Sequence, residues 1–240
     1  KVKISLEKVL EQNDIFGIGK NDEIKNISFG LYAKEDIVSS SGTVIPADGL
    51  IEIITLDENG TAIANTDLPF GSYYIKEIAT DEHYILSATQ YPFTFEYAGQ
   101  DTETVEIKVN DGKPIENKLI YGSVSGKKID ENGEALGGAL IGIFKADETE
   151  FTKEHAIMTA TSEKDGSFSF AKVPYGQWIV REIEAPTGFV LDDTSYEVNI
   201  SENDQVVEIE ITNEYIHGNI QLTKVDADYP DNKLTGATFE

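Results

Sequence analysis

Leu68-Pro69-Phe70-Gly71-Ser72-Tyr73-Tyr74-Ile75-Lys76-Glu77-Ile78 and Val173-Pro174-Tyr175-Gly176-Gln177-Trp178-Ile179-Val180-Arg181-Glu182-Ile183 are two versions of one segment, 105 residues apart. Each opens on a Pro-aromatic-Gly turn and continues as a strand. Side chains alternate between the faces of a strand, so Tyr73, Ile75 and Glu77 share one face, as do Trp178, Val180 and Glu182. In both copies a carboxylate ends an otherwise apolar row.

The likeness extends outward from these segments. Asn59-Gly60-Thr61 and Asp165-Gly166-Ser167 are equivalent turns upstream. Downstream, Ile115-Glu116-Asn117-Lys118-Leu119-Ile120-Tyr121-Gly122 corresponds to Ile211-Thr212-Asn213-Glu214-Tyr215-Ile216-His217-Gly218. Each runs into a strand with a Lys 11 residues beyond the Asn: Ser125-Gly126-Lys127-Lys128-Ile129-Asp130, then Gln221-Leu222-Thr223-Lys224-Val225-Asp226. Ser5-Leu6-Glu7-Lys8-Val9 is a third copy of that strand.

The repeat predicts one domain over 1–120, a second over 121–217 and the opening strand of a truncated third over 218–240. About 23 residues cannot bury a core alone, so the chain reads as a piece of something longer. Alternation at Val105/Ile107/Val109 and Val207/Ile209/Ile211, with turns at Asn59-Gly60, Asp111-Gly112, Asn132-Gly133 and Asp165-Gly166, predicts an all-β protein of two tandem Ig-like sandwiches. The one short helical turn is expected around Asp147–His155. Extra sequence in the first unit, at Glu11–Glu23 and Asp36–Asp48, predicts loops.

The 240 residues carry 44 Asp and Glu against 19 Lys and Arg, a formal net charge of -25. Such a balance argues against nucleic acid or anionic membrane as a partner. Cys is absent, which excludes disulfides, thiol catalysis and Cys-based metal centres. No stretch approaches the apolar length that a membrane-spanning helix needs.

Polar residues on apolar faces are the anomaly. Ile4, Leu6 and Lys8 share a face, as do Val124, Gly126 and Lys128, and Ile220, Leu222 and Lys224. Val207, Ile209, Ile211 and Asn213 share another, and Ile115 leads into Asn117. Each unit therefore places a Lys, a Glu and an Asn on inward faces of three strands, where an unpaired charge is costly. Three readings stand side by side. The polar groups sit at strand ends and snorkel to water; or Lys and Glu form a buried ion pair with Asn as hydrogen-bonding filler; or the three react. Burial lowers a Lys pKa and raises a Glu pKa, leaving a neutral amine and a protonated acid. The amine is then a nucleophile toward the Asn carboxamide, Glu carries the proton to the leaving ammonia, and a Lys–Asn isopeptide bond results.

These residues resemble tandem Cna B-type (SpaA-like, prealbumin-like) domains of Gram-positive surface proteins and pilins. The likeness rests on Leu222-Thr223-Lys224-Val225-Asp226 as an opening strand, on Val180-Arg181-Glu182-Ile183-Glu184-Ala185-Pro186-Thr187-Gly188-Phe189 as the Glu-containing motif and on Ile211-Thr212-Asn213 as the closing strand. The resemblance implies that Lys128 bonds Asn213 with Glu182 as catalytic acid/base, and that Lys8 bonds Asn117 with Glu77. Lys224 would be the orphan lysine of the third repeat. The first unit departs from the motif: Ala79-Thr80-Asp81-Glu82-His83-Tyr84 replaces Ala-Pro-x-Gly-aromatic, with the spacing to the aromatic kept. The resemblance also implies first and last strands side by side, clamped by the bond, and a location outside the cell on the wall of a Gram-positive bacterium.

Among competing functions, a hydrolase is disfavoured because Glu77 and Glu182 lie in separate repeats, and Gly122-Ser123-Val124-Ser125-Gly126 has Val124 where a nucleophile belongs. His83, His155 and His217 are scattered and read as surface residues. Gly17-Ile18-Gly19-Lys20 reads as a turn, and Asp226-Ala227-Asp228-Tyr229-Pro230-Asp231 as a solvated turn before a calcium site. No cofactor or metal is expected. The rival to a stalk is a ligand-binding head for a host extracellular-matrix or cell-surface protein or glycan, although parity picks out no cluster of exposed aromatics. A pilus shaft needs an acceptor Lys, and Tyr229-Pro230-Asp231-Asn232 has Asp there. The favoured expectation is the stalk of a wall-anchored adhesin or pilin-like protein, not a turnover enzyme, whose partners are neighbouring domains of the same protein.

Overall fold

The computed structural model describes residues 1–39 and 41–238. The first unit contains β1 (Val2–Leu10), β2 (Ser28–Ala33), β3 (Ile37–Val38), β4 (Val44–Ile45), β5 (Leu50–Thr55), β6 (Thr61–Thr66), β7 (Gly71–Ala79), β8 (Gln90–Phe95), β9 (Val105–Lys108) and β10 (Ile115–Asn117). One sheet is built on β1, which pairs antiparallel with β6 on one side and parallel with β9 and then β10 on the other. The facing sheet runs β5-β2-β7-β8, and β3-β4 is a separate hairpin.

The second unit repeats this plan with β11 (Tyr121–Asp130), β12 (Leu140–Lys145), β13 (Met158–Thr161), β14 (Ser167–Pro174), β15 (Gly176–Glu184), β16 (Tyr196–Ile200) and β17 (Val206–Asn213). Its sheets are β14-β11-β17 and β13-β12-β15-β16. The closing strand is now continuous: β17 pairs with β11 over Ser123–Asp130 without a break. In the first unit the closing strand is split by a 3-10 turn, Val109–Gly112, in which Asn110 and Asp111 adopt left-handed backbone.

Each core lies between its two sheets. Val2, Ile4, Leu6, Phe29, Leu31, Tyr73 and Ile75 fill the first, and Val124, Ile141, Ile143, Phe168, Phe170, Val180 and Ile211 the second. The alternation read from the sequence is the alternation of burial, because one face of each inner strand has only the opposite sheet to meet.

Three sequence expectations change. No helix forms around Asp147–His155; the segment is bends and turns, and the two short 3-10 elements lie at Glu23–Asn26 and Val109–Gly112 instead. Residues 218–238 hold an isolated bridge, Val225 to Lys233, and no extended strand, since a strand needs a neighbouring ladder and none is supplied there. Residues 239–240 of that predicted segment lie outside the described residues. Finally, the first unit does expose aromatics: Phe70 (59% exposed) packs against Phe95, and Tyr97 (65%) stands beside it. Strand parity could not find them, because Phe70 and Tyr97 lie just outside β7 and β8.

Candidate functional site

Lys8 lies near the end of β1 and Lys128 near the end of β11, and both side chains are wholly buried. The equivalent turns upstream of β7 and β15 help fix them. The backbone N–H of Lys8 donates to Gly60 O (2.7 Å), and that of Lys128 to Gly166 O (2.7 Å). Gly60 and Gly166 have φ of +76° and +79°, and a Cβ on either would overlap the carbonyl oxygen of its lysine. Those two positions therefore require glycine.

Register then brings the asparagine beside the lysine. Lys8 pairs with Ile115 on β10 and Lys128 with Ile211 on β17, so Asn117 and Asn213 follow two residues on, facing the same way. Glu77 on β7 and Glu182 on β15 reach in from the opposite sheet. Lys8 Nζ lies 3.7 Å from Glu77 Oε1, and Lys128 Nζ lies 3.9 Å from Glu182 Oε1. Each ammonium also donates to a backbone carbonyl of the closing strand, Ile115 O or Ile211 O, at 3.2 Å. Asn117 Nδ2 donates to both oxygens of Glu77 (2.8 and 2.9 Å), whereas Asn213 Nδ2 donates to Glu182 Oε2 alone (2.6 Å).

The six residues proposed from sequence thus gather as two buried triads, one per unit. This arrangement rules out the snorkelling alternative: Lys8, Glu77, Asn117, Lys128, Glu182 and Asn213 are all at most 2% exposed. Lys224 joins neither and lies exposed in the tail.

Burial pushes the Lys8 amine down to about 8, against the opposing pull of Glu77. The same desolvation lowers Lys128 and raises Glu182 above the usual carboxylate range. Asn117 Oδ1, Asn213 Oδ1 and Glu182 Oε1 are buried with no hydrogen-bond partner among the described residues. A buried, unpartnered carboxamide oxygen is costly, so each one calls for an explanation. Here each one belongs to the carbon that the neighbouring amine would attack.

Sequence reasoning missed the loop after each Glu strand. Ser87 N–H donates to Glu77 Oε2 (2.9 Å), and Asp192 N–H to Glu182 Oε2 (2.8 Å). Both residues lie 10 positions beyond their Glu, but the donor is a backbone N–H on a Ser in one unit and an Asp in the other, so residue types carried no signal for it. Beyond the glutamate, the partner of each asparagine differs between units. Asn117 Nδ2 meets Thr80 Oγ1 at 2.9 Å, whereas Asn213 Nδ2 meets the backbone oxygen of Val190 at 2.8 Å. Thr80 belongs to the stretch that departs from the motif, and the second unit has Ala185 in its place.

Elsewhere, Gly122–Gly126 lies within β11 and makes no nucleophile elbow. Asp226 Oδ1 accepts the N–H groups of Asp228 and Tyr229, a self-contained turn. Among the described residues no three His, Cys, Asp or Glu side chains are grouped to hold a metal.

A family model described as SpaA, a prealbumin-like fold domain, matches residues 16–113 and 122–215. The second match contains Lys128, Glu182 and Asn213; the first contains Glu77 and stops short of Lys8 and Asn117. Among solved structures, the Bacillus anthracis TIE protein superposes with a TM-score of 0.60 at 19% identity, over 89% of this chain and 34% of that one. A C-terminal fragment of the pilus adhesin SpaC from Lactobacillus rhamnosus GG superposes with a TM-score of 0.57 at 12% identity, over 92% of this chain and all of the fragment. The present chain therefore spans about a third of the first of these. At such identities the likeness is one of fold. A comparison with curated proteins finds no match.

Proposed function

The chain belongs to the SpaA prealbumin-like domain family, in two tandem copies, and on that premise we propose that it is a stalk region of a Gram-positive surface adhesin or pilin-like protein, each domain closed by an autocatalytic Lys–Asn isopeptide bond. One observation carries the reading: in both units a buried lysine and an asparagine carboxamide meet the same buried glutamate.

The chemistry follows from that contact. Unprotonated Lys Nζ attacks Cγ of the asparagine, the Cγ–Nδ2 bond breaks, and ammonia leaves. The glutamate relays the proton shed by the amine to Nδ2, taking it on one carboxyl oxygen and giving one from the oxygen that already touches Nδ2, so it ends in the protonation state in which it began. Nothing is turned over, so the chain is a substrate of its own fold rather than an enzyme. No cofactor takes part.

Lys8–Asn117 and Lys128–Asn213 bonds would tie the opening strand to the closing strand in each domain. A pulling force entering along one and leaving along the other would then pass through a covalent bond instead of unzipping a sheet. Its partners in this reading are neighbouring domains of the same surface protein, held outside the cell at the wall. The alternative, a head that binds a host ligand, draws on the exposed Phe70 and Tyr97, which stand beside buried Phe95. Binding of matrix proteins or glycans that disappears in Tyr97→Ser would favour it.

Intact mass under denaturing conditions tests the cross-links. Each bond releases one ammonia, so the chain should be lighter than its sequence mass by roughly 34 Da, and Glu77→Ala and Glu182→Ala should each recover roughly 17 Da. A full sequence mass in the parent chain would overturn the proposal and leave two buried ion pairs.

A further inference from the structure

The first unit carries an insertion that the second lacks. Between the opening strand and the next, residues 11–27 stand where the second unit has only 131–139. Part of this insertion is a closed loop: Asn13 and Ile18 exchange both backbone hydrogen bonds at 3.0 Å, and Asn13 Oδ1 accepts the N–H groups of Ile15 and Phe16. Its base is anchored to its own domain. Tyr84 OH donates to Glu11 O (2.9 Å), Leu119 N–H to Glu11 Oε2 (3.1 Å), and Gly19 N–H to the buried Glu23 carboxylate (2.9 Å).

What the loop does with its apolar side chains is unusual. Ile15 points to solvent, but Phe16 and Ile18 are each only 7% exposed, and both belong to a hydrophobic cluster that joins Tyr84 and Leu119 of the first domain to the core of the second. Phe16 meets Trp178 edge-to-face, with ring centroids 4.7 Å apart. Trp178 is itself held in place by its indole N–H, which donates to Pro174 O (2.9 Å). Asn13 Nδ2 also reaches the Tyr121 hydroxyl at 3.4 Å.

A second contact stands beside this one. His83 packs edge-to-face on Tyr175, the Tyr175 hydroxyl reaches Glu82, and Tyr175 N–H donates to Ile120 O. Ile120 N–H in turn donates to His83 O (2.8 Å), so the connecting segment is stitched to both domains. Tyr84 and Leu119 are buried beneath this joint, while Tyr215, the counterpart of Leu119 at the far end of the second domain, is 38% exposed.

We propose that the loop Glu11–Lys20 is a docking element for the Trp178 end of the second domain, and that by seating Phe16 on Trp178 it fixes the angle between the two domains. The partner is the second domain's own aromatic pole: Trp178 with Tyr121 and Tyr175. A stalk whose strands were cross-linked would still bend at residues 118–120, the only covalent connection between its domains. A braced joint removes that freedom. The inference goes beyond the cross-link reading and does not depend on it.

Trp178 is the sole tryptophan of a Cys-free chain, which makes the test direct. In Phe16→Ala, Trp178 emission should shift to the red, and its acrylamide quenching constant should rise by about a factor of two or more as the joint opens. A spin-label pair placed on engineered cysteines at Glu58 and Asp193, one in each domain, should give a narrow distance distribution in the parent and a broad one in Phe16→Ala. Phe16→Leu should restore most of both signals, and Ile15→Ala should alter neither. If Phe16→Ala leaves the distribution as narrow as in the parent, or if the parent is already broad, the docking role is wrong. Far-UV circular dichroism of every variant separates opening of the joint from unfolding, and intact mass reads the cross-links independently.

Discussion

The two domains surround the same triad with opposite distributions of bulk. In the first, Leu6 on β1 faces Ala62 on β6; in the second, Gly126 on β11 faces Phe168 on β14. One step along, Ile4 faces Ala64 and Val124 faces Phe170. The large side chain has crossed from the opening strand to its antiparallel neighbour, and a Cβ at Gly126 would overlap the Phe168 ring. A core tolerates such an exchange because it constrains total volume more tightly than the strand that supplies it. The lysine two residues further on has no such latitude, since its amine has to reach one carboxylate. Packing is thus redistributed while the triad stays in place.

The domains differ also in how continuously the closing strand pairs with the opening one. β17 lies against β11 over eight consecutive residue pairs, whereas the split closing strand meets β1 over four pairs through β9 and three through β10. The largest expected effect exposes this. If the proposed bonds form, Asn213→Ala and Asn117→Ala should each prevent one cross-link and leave open a loop of roughly 86 or 110 residues, worth about 4–5 kcal/mol. Calorimetry should show the affected domain melting lower by on the order of 20 °C. The first domain, with its split strand, should end lower than the second. Unchanged transitions in both variants would remove the mechanical case for the bonds.

Exchanging the cores sharpens the comparison at a smaller scale. Gly126→Leu overpacks the second domain at about 1–3 kcal/mol, and Phe168→Ala alone leaves a cavity costing about 3–5 kcal/mol. Combined, they import the arrangement of the first domain and should recover much of the loss, read as the denaturant midpoint of the second domain. If the two costs simply add, the cores are not interchangeable in the way Leu6–Ala62 suggests.

The smallest effect concerns the partner of the asparagine beyond the glutamate. In the first domain it is the Thr80 hydroxyl; in the second it is a backbone oxygen that no side-chain substitution removes. Thr80→Val should slow formation of the proposed Lys8–Asn117 bond by about tenfold, the worth of one hydrogen bond. Thr80→Ser should keep most of the rate, and the second bond should form as before. Mass against time, on chains refolded from denaturant before any bond has formed, follows both together. Equal rates in Thr80→Val and the parent would make the hydroxyl a bystander.

Much of this was legible in the sequence, and the reason is local. Strand parity is a property of a few consecutive residues, so the inward rows ending in Lys8, Glu77, Lys128, Glu182 and Asn213 could be read without any tertiary information. Repetition then selected these residues from the many other charges of an acidic chain. Loops obey no such rule. The segment around Asp147–His155 looked helical and is a run of turns, and Lys224 sits in a copy of a strand that has no neighbouring ladder.

By itself the sequence determined the all-β sandwiches, their two-fold repetition and the six inward polar residues, because each follows from periodicity along the chain. Only the tertiary structure decided that each lysine, glutamate and asparagine share one buried point, that burial shifts Lys8, Lys128 and Glu182 toward their neutral forms, and that Thr80 completes only the first site. It alone seated Phe16 on Trp178. Those outcomes depend on register between distant strands and on where a loop lands, and both are set by packing across the whole fold rather than by neighbours in sequence.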